Sequence, residues 1–291
     1  MQRRVAILTG SENWHVRVLS QALRDRGCQV SVLPVVAVTA RVGGGPAVSC
    51  RDVALDALDA VVIRTLPGGT TEQIVYRMDA LQTLQRRGVR VVNSPRAIER
   101  TVDKYLTSAL LEEAGVPTPL TIVAQGFDAA MQAFRELGDV VAKPLFGSEG
   151  RGIVRLTDAD TAYRVFRAWE LIGAVYYLQA FIPHCDSDVR AFVIGERVVA
   201  AMTRTGDSWK TNVRQGAEPT AFELPPAWAE LAVRAARAVG ADYAGVDLLP
   251  AADGRIFVPE VNGIPGWAAL QRVSAVDIAG LIAEQVLEGL T

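Results

Sequence analysis

In the stretch FVPEVNGIPG, Glu260 and Asn262 put a carboxylate and an amide two positions apart on what reads as a buried strand. Alternation along a strand turns both side chains to one face. Upstream, YAGVDLLPAADGRIFVPEVN reads as a hairpin that turns at Asp253-Gly254, a strong two-residue turn signal. If those are the central turn residues, Ala252 pairs with Arg255 and Asp247 falls directly opposite Glu260, with Cβ atoms about 5 Å apart. The neighbours Val246, Leu248, Ile256 and Val258 are apolar, as buried strands require. Two facing carboxylates repel unless something positive lies between them. Asp, Glu and Asn oxygens on one surface suit Mg²⁺, a hard ion that keeps water and phosphate oxygens as its other ligands. Basic residues of the core are the alternative partners.

A second set of residues points to phosphate. VVAKPLFGSEGRGI carries Lys143 on a strand and then Gly147, Ser148, Gly150 and Gly152 in a loop. Glycines let backbone N–H groups close over phosphate oxygens, and a lysine beneath such a cover is a point charge for them. The lysine precedes the glycines and no G-K-[ST] follows, so this is not a Walker A loop. A glycine-rich hairpin turn is the plain alternative. Lys104, in TVDK, is a second lysine candidate, and alone it reads as a solvated helix residue. Asp188 and Arg190 share a strand face, Arg204 follows the next strand, and Lys210, Asn212 and Arg214 alternate through a polar loop. Such a basic row could hold phosphate and a substrate carboxylate, or it could be a solvated loop.

These residues need a scaffold. The first hundred residues alternate strand and helix: RVAILTG, a helix over NWHVRVLSQALRDRG, QVSVLPVVAV, a loop RVGGGPAVSC, a strand and turn in ALDAVVIRTLPGG, a helix TEQIVYRMDALQTLQRRG, and VRVVNSP, broken at Pro95. That alternation implies a parallel sheet covered by helices. No G-x-G-x-x-G is present, so a nicotinamide or flavin site is not expected. From AIERTVDKYLTSALLEEAGVPTP the character changes. One helix runs to Gly115 and a Pro-rich connector follows. Then come the Lys143 strand, an amphipathic helix near 159–172, the strand VYYLQAFI and a hairpin DVRAFVIGERVVAAMTR turning at Gly195. The helix AWAELAVRAARAVG, the acidic hairpin and a terminal helix from about 276 complete the chain.

Composition narrows the classes. Half of the 291 residues are apolar, 21% are charged and the net charge is -2, an ordinary globular balance. That charge argues against a general nucleic-acid or membrane-surface binder. No apolar run approaches the ~18 residues of a membrane span, and the run after MQRR is too short for a signal peptide. Cys28, Cys50 and Cys185 are scattered without metal spacing and read as reduced, structural thiols of a cytoplasmic protein. His15 and His184 do not make a His-based metal site.

As a set, TVDK, VVAKPLFGSEGRGI, LQAFI, DVRAFVIG, KTNVRQGA, AGVDLL and PEVNGIPG resemble the ATP-grasp ligases, and among them the RimK-type glutamate ligases. The resemblance implies an α/β chain, α+β in its C-terminal part: an ATP-grasp fold preceded by a Rossmann-like parallel-sheet pre-ATP-grasp domain. Its division would be 1–98, 99–178 with the glycine-rich lid loop, and 179–291 with the metal site. It implies ATP and Mg²⁺, with Mn²⁺ as a substitute. Lys104 and Lys143 would contact phosphates. Gln179, Ala180, Phe181 and Ile182 would form the hinge beside adenine, and Asp188 would lie near the ribose. Asp247, Glu260 and Asn262 would hold two metal ions. Arg190, Arg204, Lys210, Asn212 and Arg214 would surround the γ-phosphate and the incoming acyl group.

The family usually has Glu where Ala180 stands. Adenine edges are commonly read at this hinge by backbone N–H and C=O groups, which Ala retains. The ending VNGIPGW is similar to that of ligases acting on pterin- or furan-type cofactors. The implied reaction forms an acyl phosphate on a small-molecule or peptide acceptor and joins it to an amine, L-glutamate by the resemblance or else another amino acid or a peptide end, releasing ADP and phosphate. The alternatives are an ATP-binding regulatory protein that kept the fold, and a kinase that stops at phosphoryl transfer. Family members often self-associate, so a homo-oligomer is also open.

Overall fold

The computed structural model describes residues 2–147, 150–206, 209 and 217–290. The N-terminal part runs β1 (Arg4–Thr9), α1 (Trp14–Asp25), β2 (Gln29–Pro34), β3 (Val38–Ala40), β4 (Val48–Cys50), β5 (Val53–Ala54), β6 (Ala60–Ile63), α2 (Thr71–Arg86) and β7 (Arg90–Val92). β2-β1-β6-β7 form the expected parallel sheet. Val5 to Leu8 and Ala60 to Ile63 are almost fully buried because helices cover both faces. RVGGGPAVSC is not all loop. Its end, Val48–Cys50, pairs with β3 and β5 in a small antiparallel sheet. Cys28 and Cys50 lie in the core, whereas Cys185 is exposed, so packing accounts for only two of the thiols.

The middle runs α3 (Pro95–Val102), α4 (Lys104–Glu113), β8 (Thr121–Ala124), α5 (Phe127–Leu137), β9 (Val140–Pro144), β10 (Val154–Leu156), α6 (Ala159–Glu170) and β11 (Tyr176–Ala180). The single helix expected up to Gly115 is two. Asp103 is extended, and its carboxylate accepts from Leu106 N–H as the N-cap of α4. Lys104 is therefore the first residue of a helix, not a mid-helix lysine. β8 and α5 were not expected. They complete the antiparallel sheet β10-β9-β11-β8, whose core takes Ala130, Met131, Ala133 and Phe134 from α5.

The C-terminal part runs β12 (Ser187–Ile194), β13 (Arg197–Thr205), β14 (Glu218–Ala221), α7 (Pro226–Val239), β15 (Tyr243–Pro250), β16 (Ile256–Asn262), α8 (Ala268–Val273) and α9 (Ile278–Leu287). The antiparallel sheet β14-β13-β12-β15-β16 lays Val189, Ala191, Val246, Leu248 and Val261 on α7. Leu111 of α4 and Val116 join this core, so the start of the 99–178 segment packs with the C-terminal sheet. α8 and α9 return to cover the parallel sheet together with α1. No helix among the described residues is long and apolar enough to cross a membrane.

Three side chains tie the parallel sheet to the hairpin β15–β16. Asn93, fully buried after β7, donates to Tyr243 O (2.8 Å) and Gly263 O (2.5 Å) and accepts from Asp242 N–H (2.7 Å) and Tyr243 N–H (3.2 Å). Arg64, at the end of β6, donates to Tyr243 Oη (3.1 Å) and Pro265 O (2.9 Å) and stacks over Trp267. His15 Nε2 accepts from the N–H groups of Trp267 (3.0 Å) and Ala268 (3.2 Å) at the start of α8. Replacing Asn93 by Ala would orphan buried backbone groups, each worth about 1–3 kcal/mol. Asn93→Ala is expected to lose roughly 3 kcal/mol or more in urea unfolding, and a loss under about 1 kcal/mol would contradict this tie.

Candidate functional site

The C-terminal sheet sets the site by register. On the face away from α7, β13 places Arg204 opposite Asp188 of β12, β12 places Arg190 opposite Asp247 of β15, and β15 places Asp247 opposite Glu260 of β16. Acid and base alternate across three strands, and on the fourth Glu260 stands beside Asp247 as a second acid. Arg204, which lies within β13 rather than after it, grips Asp188 through Nε (2.7 Å) and Nη2, and its Nη2 also reaches Asp247 Oδ1 at 3.0 Å. Arg190 grips Asp247 with two donors, Nε on Oδ1 and Nη2 on Oδ2 (2.9 Å). Asp188, Arg204 and Asp247 are 7%, 5% and 5% exposed, so none has bulk water to fall back on. Burial alone would raise the Asp247 pKa, but Arg190 and Arg204 overcome it and hold the carboxyl below its usual range. Burial likewise opposes the charge on Arg204, and Asp247 with Asp188 more than restores it.

The expected pairing of Asp247 with Glu260 is present, but the turn differs. Leu249 pairs with Phe257 and Pro250 with Ile256, one residue out of the expected register. An irregularity between Asp247 and Leu249 puts it back. Pro259 has no N–H to give the ladder, and Val258 N–H donates outside it, to Pro117 O at 2.7 Å. Asn262, opposite Gly245, spans Arg190 and Glu260: with its amide nitrogen toward Glu260 Oε1 (3.2 Å), its oxygen accepts from Arg190 Nη2 (3.2 Å).

Two lysines approach this face, Lys143 from β9 of the central sheet and Lys104 from the start of α4. Lys143 donates to Gln179 Oε1 at 2.6 Å, and Gln179 Nε2 in turn donates to Tyr177 Oη (3.0 Å) and Thr121 Oγ1 (3.1 Å). Tyr177 Oη bonds Ser108 Oγ at 2.8 Å. Gln179 is thus a buried orienter of Lys143, a role its sequence position did not disclose. Burial pulls the Lys143 pKa down to about 8, against the pull of Glu260. Burial also lowers that of Lys104, again opposed by Glu260. Lys104 Nζ donates to Gly147 O (2.9 Å) and Leu145 O (3.4 Å), which ties the start of α4 to the glycine-rich loop. Gly147, Gly150 and Gly152 all have positive φ (148°, 71° and 73°), so the loop needs glycine.

The hinge is braced from behind. Ala180 N–H donates to Leu120 O (2.8 Å) and Phe181 N–H to Asp139 O (2.9 Å). Arg155 stacks over the Phe181 ring at 3.4 Å while bonding both Asp139 oxygens. Those two N–H groups are therefore spent, and the one at Ile182 has no partner among the described residues. A cleft with about 120 Å³ of water-accessible space joins these parts. Its lining includes Lys143, Gly150, the hinge, Asp188, Arg204, Asp247 and Glu260. His184 and Trp209 also line it. Sequence reasoning assigned neither to the site, and single aromatic or imidazole residues in a polar loop give no local signal. Burial lowers the His184 pKa, and its Nδ1 is buried without a partner among the described residues. Ser148, Lys210, Asn212 and Arg214 lie outside the described residues.

Asp247, Glu260 and Asn262 fit a hard divalent ion by donor type, since all three offer oxygens from adjacent strands. No cluster of three His, Cys, Asp or Glu side chains is found among the described residues, so the amide of Asn262 is needed as the third donor. Arg190 and Arg204 already take three of the roughly four lone-pair positions of Asp247.

The depressed lysine has a stability consequence. Between about pH 8 and 10.5 the unfolded chain keeps the Lys143 proton that the folded chain has lost. The unfolded state then binds more protons, so stability rises with pH across that window. The rise is on the order of 3 kcal/mol, taking about 1.36 kcal/mol per pH unit. Lys143→Met should remove it when the two proteins are compared by urea unfolding from pH 7.5 to 10.5. An identical rise in the variant would contradict the assignment.

Residues 3–98 match the RimK PreATP-grasp domain and residues 101–286 the RimK-like ATP-grasp domain. A tetrahydromethanopterin:alpha-L-glutamate ligase of Methanococcus maripaludis is 36% identical over 235 residues, 79% of each chain. A probable alpha-L-glutamate ligase of Cellvibrio japonicus is 30% identical over 292 aligned positions, 98% of this chain and 95% of that one. Among solved structures, the ATP-grasp ligase PsnB complexed with a minimal precursor superposes with a TM-score of 0.77 at 25% identity over all of both chains. The RimK domain ATP-grasp protein of Sphaerobacter thermophilus gives 0.77 at 25% identity over 98% and 99%. The chain belongs to the RimK-like ATP-grasp family, with the family's pre-ATP-grasp domain ahead of the grasp itself.

Proposed function

We propose that this protein is an ATP-dependent carboxylate–amine ligase that adds L-glutamate to a small-molecule or peptide acceptor. The observation that carries the reading is the convergence, in one cleft, of Asp188, Arg204, Asp247 and Glu260 with Lys143 and Gly150 of the glycine-rich loop, while Arg190 grips Asp247 beside it. Relatives named as ligases of tetrahydromethanopterin and glutamate favour a pterin-type acceptor, and the PsnB complex with a precursor favours a peptide.

The chain's own residues divide the work. Ile182 N–H and the braced Phe181 hold the base edge. Lys143, oriented by Gln179, and Lys104 neutralise phosphate oxygens, and the loop from Gly147 to Gly152 covers them. Covering matters because water would hydrolyse an acyl phosphate. Arg190 and Arg204 stabilise the charge on the transferring phosphoryl group and on the oxyanion formed when the amine attacks. Lys210, Asn212 and Arg214 join them from the polar loop. Asp247, Glu260 and Asn262 would hold Mg²⁺, or Mn²⁺ in its place, which supplies charge neutralisation between phosphate oxygens. No serine or cysteine nucleophile is required. The proposed division of labour keeps 1–98 as the pre-ATP-grasp domain, 99–178 as the lid-bearing part and 179–291 as the metal-bearing part.

The test is Mg²⁺-dependent ADP release over a panel of acceptors with L-glutamate, with mass spectrometry of the products. A product heavier by one glutamate residue is expected, and Glu260→Ala should lower its rate at least about 10³-fold. Tight nucleotide binding with no product from any acceptor, or near-normal turnover in Glu260→Ala, would contradict the reading.

A further inference from the structure

Arg190 occupies ground that a metal ion would need. Its guanidinium takes Asp247 with two donors and, with the Asn262 amide nitrogen turned toward Glu260, donates to the Asn262 oxygen at 3.2 Å. It thus touches two of the three oxygen donors, and Asn262 links it to the third, Glu260. The slot it lies in is built. Gly245, the residue opposite Asn262, is where a Cβ would come within 2.6 Å of Arg190 Nη1 and 3.2 Å of its Cδ. A Cβ at 245 would make the guanidinium shift, and it would also come within 3.1 Å of Pro265 Cβ. Arg204 independently takes a second position on Asp247 Oδ1, which leaves that oxygen without a spare lone pair.

We propose that Arg190 is a resident counter-cation of the acidic site, which a divalent ion must displace from Asp247 in order to bind there. While Arg190 stays, Asp247 offers a dication only the one lone pair left on Oδ2, and the two cations repel at that distance, so the ion takes the carboxylate fully only when Arg190 gives way. Displacement frees the Arg190 guanidinium on the same face, where a phosphoryl or carboxylate anion can take it up. Metal entry and anion capture are thereby coupled through one side chain. Arg204 stays behind, anchored by Asp188. This inference rests on the metal role proposed above for Asp247 and Glu260.

The test is Mn²⁺ binding to the full chain without nucleotide, read as loss of the free-ion EPR signal. Arg190→Gln is expected to bind Mn²⁺ at least ten-fold tighter than wild type, and Arg190→Lys by an intermediate factor. Adding Asp247→Asn to Arg190→Gln should abolish the gain. Gly245→Ala keeps every charge and presses on Arg190 Nη1 and, less closely, on Pro265 Cβ, so a smaller gain there supports the proposal even if Arg190→Gln does not fold. Unchanged or weaker Mn²⁺ binding in Arg190→Gln and Gly245→Ala, while Asp247→Asn weakens binding in the wild-type background, overturns the exchange and spares the metal site. If neither Asp247→Asn nor Glu260→Ala alters Mn²⁺ binding, the metal role falls and the exchange falls with it.

Discussion

The alternation of Asp188, Arg204, Asp247 and Arg190 across three strands is the constraint on which the rest depends. Asp188, Arg204 and Asp247 are buried, Arg190 is partly buried, and each is matched by its cross-strand neighbour. Removing one partner would leave an uncompensated ion, a loss of about 3–5 kcal/mol. The sheet carries such a row because its other face lays Val189, Ala191, Val246 and Leu248 on α7 and so anchors the strands. Fold stability and site geometry are therefore the same problem here. The register that satisfies the ions also sets the positions of the two guanidinium groups.

The remaining parts are suspended from that row. Gln179 holds Lys143 from the central sheet, Asp103 starts α4 so that Lys104 reaches the glycine-rich loop, and Arg155 braces Phe181 from the outside. The N-terminal part contributes Asn93 and Arg64 from the strand ends and His15 from α1, which fix the two ends of the acidic hairpin and the loop that follows Asn262. A cleft between two sheets gains order because each wall is tied to something rigid behind it. The family resemblance enters as a convergence of parts that are each explicable by ordinary packing.

Much of the site was legible because its signals are local. Period-two alternation puts Asp188 with Arg190 and Glu260 with Asn262. The Asp253-Gly254 turn brings Asp247 to Glu260, although the turn itself is one residue out and the irregularity near Pro259 restores the pairing. The partners of these residues were not legible. Arg190 meets Asp247 across 57 positions and Asn93 meets Gly263 across 170, distances that no spacing rule spans. Facing acids suggested a cation between them, and the sequence could not say that two arginines already provide positive charge. Other misses had readable causes. Asp103 is a capping residue that splits the expected helix. The apolar spacing of Ala130, Met131, Ala133 and Phe134 is a helix signal in α5 that the Pro-rich connector before it obscured.

The central claim is that this face activates a carboxylate by phosphorylation. Once the acceptor is identified, the most direct measurement uses that molecule with its reacting carboxylate labelled with ¹⁸O. One labelled oxygen attacks the γ-phosphorus as ADP leaves. When the amine attacks the acyl carbon, that oxygen departs with the phosphate. The account predicts one ¹⁸O in the released inorganic phosphate per amide formed. Unlabelled phosphate, or label appearing in AMP, would contradict it.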